Sequence, residues 1–88
     1  MKVKEYRFSK RFVKKFTKLP PAKKEAVNTA LDLYLDEPNA PSLRRHILKG
    51  KYAGQTSISA GGDLRIHLIE DDDIIIVVAN TGTHSQLY

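Results

Sequence analysis

Three histidines, His46, His67 and His84, are the side chains of this sequence best suited to moving protons near neutral pH. His46 sits in RRHILKGK (44–51), where Arg44, Arg45, Lys49 and Lys51 surround it with positive charge. His84 sits in TGTHSQLY (81–88), upstream of an aromatic, Tyr88. A third group alternates along DLRIH (63–67): Asp63, Arg65 and His67. This set suits phosphodiester chemistry on RNA. Cleavage by the ribose 2′-hydroxyl needs no metal and no protein nucleophile. It needs a base for the 2′ proton, an acid for the leaving 5′ oxygen and cations beside the phosphorane. Arginine meets phosphate through two hydrogen bonds, and an aromatic ring can stack on a splayed base. By themselves these residues do not separate a ribonuclease from a basic domain that holds a few histidines.

Other chemistries find less support. The chain has no cysteine, and its histidines lack metal-ligand spacing, so neither a zinc site nor any other cofactor is expected. Gly61 and Gly62 precede a strand pattern rather than a helix, which makes them a turn and not a phosphate cradle. Ser57 and Ser59 lack a nucleophile-elbow context. The Pro20–Pro21 junction differs from the short turn of a helix-turn-helix reader.

Charge is divided unevenly. Residues 1–51 hold fourteen of the fifteen Lys and Arg against five acids, whereas residues 52–88 hold Arg65 against five acids. A basic half attracts polyanions. Lysines between 10 and 24 are accounted for by solvated helix faces; the cluster around His46 is not. No apolar run is long enough to cross a bilayer, and the lack of cysteine suits a reducing cytoplasm, so a cytoplasmic protein without a membrane partner is expected.

The elements that must position these groups follow from periodicity. VKEYRF (3–8) alternates as a strand, and Ser9 stands where a helix N-cap would. Phe12, Val13, Phe16 and Leu19 recur at helical spacing until Pro20 and Pro21. Ala22, Ala26, Val27, Ala30, Leu31 and Tyr34 trace a second helix, ended by DEPNAP (36–41). Residues 52–59 read as a weak strand, AGGD (60–63) as a turn, LRIHLI (64–69) as a strictly alternating strand, EDDD (70–73) as a charged turn and IIIVVAN (74–80) as a central strand. The order β-α-α-β-β-β predicts one α+β domain over residues 1–88, with a two-helix hairpin on one face of a small, mostly antiparallel twisted sheet. Leu64, Ile66 and Leu68 would meet the helices, leaving Asp63, Arg65 and His67 on a face that no helix covers.

HILKGKYAG (46–54), DLRI (63–66) and TGTHSQLY (81–88) resemble the RelE/ParE toxin superfamily of type II toxin–antitoxin systems, above all its YafQ-like messenger-RNA endonucleases. The resemblance implies a RelE-like fold and a metal-independent endoribonuclease that cuts messenger RNA on the ribosome and so inhibits translation. It also implies a cognate antitoxin as partner. Position by position, it makes His84 the terminal catalytic histidine, His46 a histidine of catalysis or substrate contact, Asp63 a catalytic carboxylate and Tyr88 an aromatic that orients substrate. Arg65 falls where related toxins often carry a phosphate-binding arginine, and Arg44, Arg45, Lys49 and Lys51 would contact the RNA backbone. The chain departs from the pattern at Ser59, where a second histidine would stand, at Leu64, where a tryptophan would stand, and at Asn80, where an arginine would stand. Two other readings stay open: a ParE-like toxin that blocks gyrase without cutting RNA, and a degenerate toxin that binds antitoxin only.

Overall fold

Ser9 makes the first corner, as its N-cap position predicts. In the computed structural model, which describes residues 5–70 and 75–87, strand β1 (Glu5–Phe8) ends there and helix α1 (Lys10–Thr17) begins. Ser9 Oγ accepts from the Phe12 amide at 3.0 Å and donates to the Ala79 carbonyl at 2.7 Å, which ties the helix start to a distant strand. Helix α2 (Pro21–Asp36) carries Pro21 in its first turn, where an amide would have no intrahelical acceptor. Its inner face is Val27, Ala30, Leu31 and Tyr34.

Four strands and a short helix follow: β2 (His46–Ile47), β3 (Thr56–Ser59), β4 (Leu64–Glu70), β5 (Ile75–Thr83) and α3 (His84–Leu87). Single turns of 3-10 helix occur at Pro41–Leu43 and Gly50–Tyr52. The sheet order is β1-β5-β4-β3-β2. β1 pairs with β5 in parallel, and the β5–β4, β4–β3 and β3–β2 pairings are antiparallel. The α+β, mostly antiparallel architecture read from the sequence is therefore present.

Leu64, Ile66 and Leu68 do face the helices. They join Ile58, Ile76 and Val78 in one buried cluster with Phe12, Val27, Ala30, Leu31, Leu43 and Tyr34. Burying such a side chain fully contributes about 1.5–3 kcal/mol. Tyr6 fastens β1 to α2 by donating its hydroxyl to the Leu31 carbonyl at 2.6 Å; burial, with Asp32 second, pushes its phenol well above the usual range.

The sequence reading needs three corrections. Of residues 52–59 only Thr56–Ser59 form a strand, because the turn Gly50–Tyr52 lifts Tyr52 out of the sheet. A two-residue strand, β2, pairs at the edge with β3, too short for alternation to reveal it. The last strand runs on to Thr83 and hands over to α3. Its irregularity matters most. His67 pairs with Asn80 but Leu68 pairs with Val78, so Ala79 is an extra residue in a β-bulge. The bulge shifts the alternation of β5, so that Ile76 and Val78 face the core while Asn80 and Gly82 pair with His67 and Arg65 on the other face. The charged turn expected at 70–73 lies mostly outside the described residues, as does Tyr88.

Candidate active site

The helix-free face carries two rows of residues running across the strands. In one, His46, Ser57, His67 and Asn80 are successive partners from β2 to β5. In the other, Ser59, Arg65 and Gly82 are successive partners from β3 to β5. Beyond the second row, Asp63 precedes β4 and His84 follows β5.

His84 and Asp63 meet through the backbone: the His84 amide donates to the Asp63 carbonyl at 2.9 Å. Both side chains are exposed. Asp63 follows Gly61 (φ +106°) and Gly62 (φ +52°), whose left-handed backbones turn the chain into β4. Arg65 leans toward that turn. Its Nη1 donates to the carbonyls of Gly62 at 2.8 Å and Leu64 at 3.1 Å, and to Ser59 Oγ at 3.4 Å. No salt bridge joins Asp63 to Arg65 among the described residues. The guanidinium is thus held by neutral oxygens and keeps its full charge for an anion. The backbones of His84 and Asp63 and the Arg65 guanidinium thus lie at one end of the face.

His46 stands at the other end, exposed on β2. Its Nδ1 lies 3.1 Å from the Arg44 carbonyl. A carbonyl only accepts, so Nδ1 carries the proton and Nε2 of the neutral ring presents a lone pair, the form a general base needs. Arg44 itself adopts the left-handed backbone (φ 48°), which costs a non-glycine residue about 1–2 kcal/mol and turns its carbonyl toward His46. From His46, His84 lies four residues along and three strands across, roughly 13 Å by 14 Å in an untwisted sheet.

The cations differ in their surroundings. Arg44, Lys49 and Lys51 are exposed, with Lys51 Nζ 5.5 Å from the centre of the Tyr52 ring. Arg45 is half-buried and ion-paired to Glu70 at 2.8 Å, so an acid already offsets part of its charge.

Between the two ends the face is closed, which corrects the expectation of an uncovered surface. His67 is completely buried, and Ser57 beside it likewise. Tyr52 covers His67, ring edge to ring face at 5.1 Å, and its hydroxyl donates to the Leu87 carbonyl. Leu87, from α3, is itself 2% exposed. Burial, with the neighbouring His46 second, lowers the His67 pKa below its ordinary value. The alternation of the sequence puts His67 on an uncovered face and Tyr52 in a strand. The aromatic that matters here is reached through a turn, which alternation does not report. Among the described residues no helix is long and apolar enough to cross a membrane, and no group of three or more His, Asp or Glu side chains could hold a metal ion.

This combination of a helical hairpin, a β1-β5-β4-β3-β2 sheet and a terminal helix folded back on it defines a RelE-like α+β fold. Neither a protein-family model nor a curated protein sequence matches the chain, but solved structures do. YafQ from E. coli matches with a TM-score of 0.78 at 18% identity over 97% of this chain and 98% of that one. The E. coli DinJ–YafQ toxin–antitoxin complex matches with a TM-score of 0.75 at 18% identity, over 97% of each chain. The RelBE2 toxin–antitoxin complex of Mycobacterium tuberculosis matches with a TM-score of 0.71 at 24% identity, over 92% of this chain and 98% of that one. The resemblance carried by residues 46–54, 63–66 and 81–88 is borne out at the level of fold.

Proposed function

We propose that this chain is the toxin of a type II toxin–antitoxin pair and acts as a metal-independent endoribonuclease on messenger RNA engaged with the ribosome. The observation that carries the reading is the hydrogen bond from the His84 amide to the Asp63 carbonyl. It brings the His84 backbone beside the start of the strand that bears Arg65, which supports a role for the imidazole there. In this mechanism His46, through Nε2, removes the ribose 2′ proton, and the 2′ oxygen attacks the adjacent phosphorus. His84 gives a proton to the departing 5′ oxygen. The products are a 2′,3′-cyclic phosphate and a 5′-hydroxyl. Arg65 stabilises charge on the phosphorane, Asp63 supports His84, and Arg44, Lys49 and Lys51, with Arg45 contributing less, bind flanking phosphates. Tyr88 stacks on a base. The two histidines flank the Tyr52 cover, so the RNA must pass over the Tyr52 ring with both imidazoles turned inward above it.

The antitoxin has a fitting surface on the opposite side of the molecule. Phe8 (51% exposed) and Val13 (46%) open an apolar groove shared with Phe12, Phe16 and Leu31. Lys10, Arg11, Lys14, Lys15 and Lys18 lie along the same helix and its C-cap. An amphipathic antitoxin segment with acidic flanks satisfies both. Chains of the same fold are found in toxin–antitoxin complexes, DinJ–YafQ of E. coli and RelBE2 of Mycobacterium tuberculosis, which supports an antitoxin partner.

The test is to induce the wild type and His84→Ala in cells lacking antitoxin and to map RNA ends. Cleavage lost in His84→Ala supports the enzyme. Equal toxicity with intact transcripts would instead indicate gyrase blockade, and no toxicity from either would indicate a degenerate toxin.

A further inference from the structure

The residues around His84 lock onto one another. Gln86 Oε1 accepts from the Thr83 amide at 2.9 Å, and Thr83 Oγ1 accepts from the Gln86 amide at 3.3 Å. This is a reciprocal capping box, with Thr83 as cap and Gln86 three residues on. His84 lies inside the box, its own amide on the Asp63 carbonyl. One residue past the box, the Tyr52 hydroxyl donates to the Leu87 carbonyl, and the Leu87 side chain is buried. The short turn is therefore gripped before and after His84. The fit is close: a Cβ on Gly82 would come within 2.9 Å of Gln86 Oε1 and 3.7 Å of Leu87 Cδ2.

A four-residue helix has no stability of its own, since isolated helices shorter than about 12–15 residues are marginal in water. Whatever fixes the His84 ring must come from outside the helical hydrogen bonds. We propose that Tyr52, Thr83 and Gln86 are positioning residues for His84: the capping box and the Tyr52–Leu87 latch hold α3 against the sheet so that the imidazole is pre-set at the Asp63–Arg65 end. This rests on the reading of His84 as a proton-transfer group. None of the three touches the scissile phosphate. Tyr52 has a double task, because its ring also closes over His67.

The test uses the full chain and three substitutions. Gln86→Ala removes the box, Gln86→Glu keeps an acceptor at the same reach, and Tyr52→Phe removes the latch but keeps the ring on His67. Amide hydrogen exchange followed by NMR reports the clamp; single-turnover cleavage of a messenger RNA programmed on ribosomes reports the chemistry. Gln86→Ala and Tyr52→Phe should each speed exchange at the His84 amide by about five- to tenfold, as expected for losing one cap-strength interaction, while Ile66 and Val78 keep wild-type protection. The cleavage rate at saturating RNA should fall about tenfold or more with KM little changed, the behaviour of a displaced reacting group. Gln86→Glu should restore both. Unchanged exchange at His84 in both variants overturns the proposal, and so does faster exchange with an unchanged cleavage rate. If the wild type cleaves no RNA under any condition, the nuclease reading fails instead, and the exchange data alone still accept or reject the clamp.

Discussion

Acidification should weaken this fold through His67, and the size of the effect can be bounded. The imidazole is completely buried beneath Tyr52, and its pKa is lowered by burial first and by His46 second. A base whose folded pKa lies below its unfolded value, about 6.5 for histidine, binds fewer protons folded than unfolded across the interval between the two. Unfolding then takes up a proton, so the stabilising effect of the neutral ring is full above pH 6.5 and is lost as pH falls toward the folded pKa. One proton gives a slope of at most about 1.4 kcal/mol per pH unit. Between pH 7.5 and 5.5 the loss is therefore at most about 1.4 kcal/mol, since the unfolded chain begins to protonate only near the middle of that range. In a domain of this size such a loss lowers Tm by about 5–10 °C. The assay is urea unfolding at the two pH values for the wild type and for His67→Gln, each referred to its own stability at pH 7.5. Subtracting the variant removes the contributions of His46, His84 and the carboxylates. Equal pH dependence in the two proteins would refute the argument, as would a wild type that gains stability relative to the variant on acidification.

Four further outcomes are expected. His46→Ala should remove the acidic limb of the kcat profile and lower kcat by about 10²-fold or more if His46 is the general base; a rise in KM with kcat intact would retire it from the chemistry. Ile66→Ala should cost about 2–5 kcal/mol in urea unfolding, because Ile66 is completely buried between β3, β5 and the helices. Asn80→Arg should steepen the loss of cleavage rate with added salt, whereas Arg65→Ala should lower the rate; a faster Arg65→Ala enzyme would contradict the cationic role given to that residue.

Much of the fold could be read because local rules and tertiary packing agree. Ser9, the inner face of α2 from Val27 to Tyr34 and the alternation of Leu64, Ile66 and Leu68 fall where their spacing puts them, whereas Val13 of the first helical face is exposed and Leu19 lies past the end of α1. What escaped were features that exist only through pairing. The bulge at Ala79 leaves no trace in IIIVVAN, since every residue there is apolar until Asn80 and the strand reads as buried on both faces. Strand β2 is two residues long and is defined by β3 alone. Of the candidate site, His84, Asp63 and Arg65 were singled out by residue type and by the resemblance, but the covering of His67 by Tyr52 was not, because a 3-10 turn intervenes. The capping box was legible. Thr83 followed by Gln86 is the spacing of a helix start, and α3 could have been placed from it.

The position of Arg65 bears on how a site without an arginine at residue 80 could still work. Asn80 pairs with His67, and Gly82 pairs with Arg65, so Arg65 and Asn80 are diagonal neighbours on the same face, about 7–8 Å apart at the backbone. A charge moved by one diagonal is within reach of the same phosphate for a side chain as long as arginine. Yet Arg65 does not lean toward Asn80. Its Nη1 bonds go to the carbonyls of Gly62 and Leu64 and to Ser59 Oγ, and Asn80 spends its Oδ1 on the Thr81 amide at 2.9 Å. The positive field is therefore centred nearer β3 and the turn than an arginine on β5 would centre it, and Ser59, an acceptor for Arg65, helps to hold it there. Serine at 59 and asparagine at 80 are then linked departures rather than two separate losses: a histidine at 59 would compete with Arg65 for space and charge, and an arginine at 80 would repel it. Ser59→His and Asn80→Arg introduced together into a chain that keeps Arg65 should be less active than the sum of their single effects, and removing Arg65 from the double variant should relieve the conflict rather than deepen it.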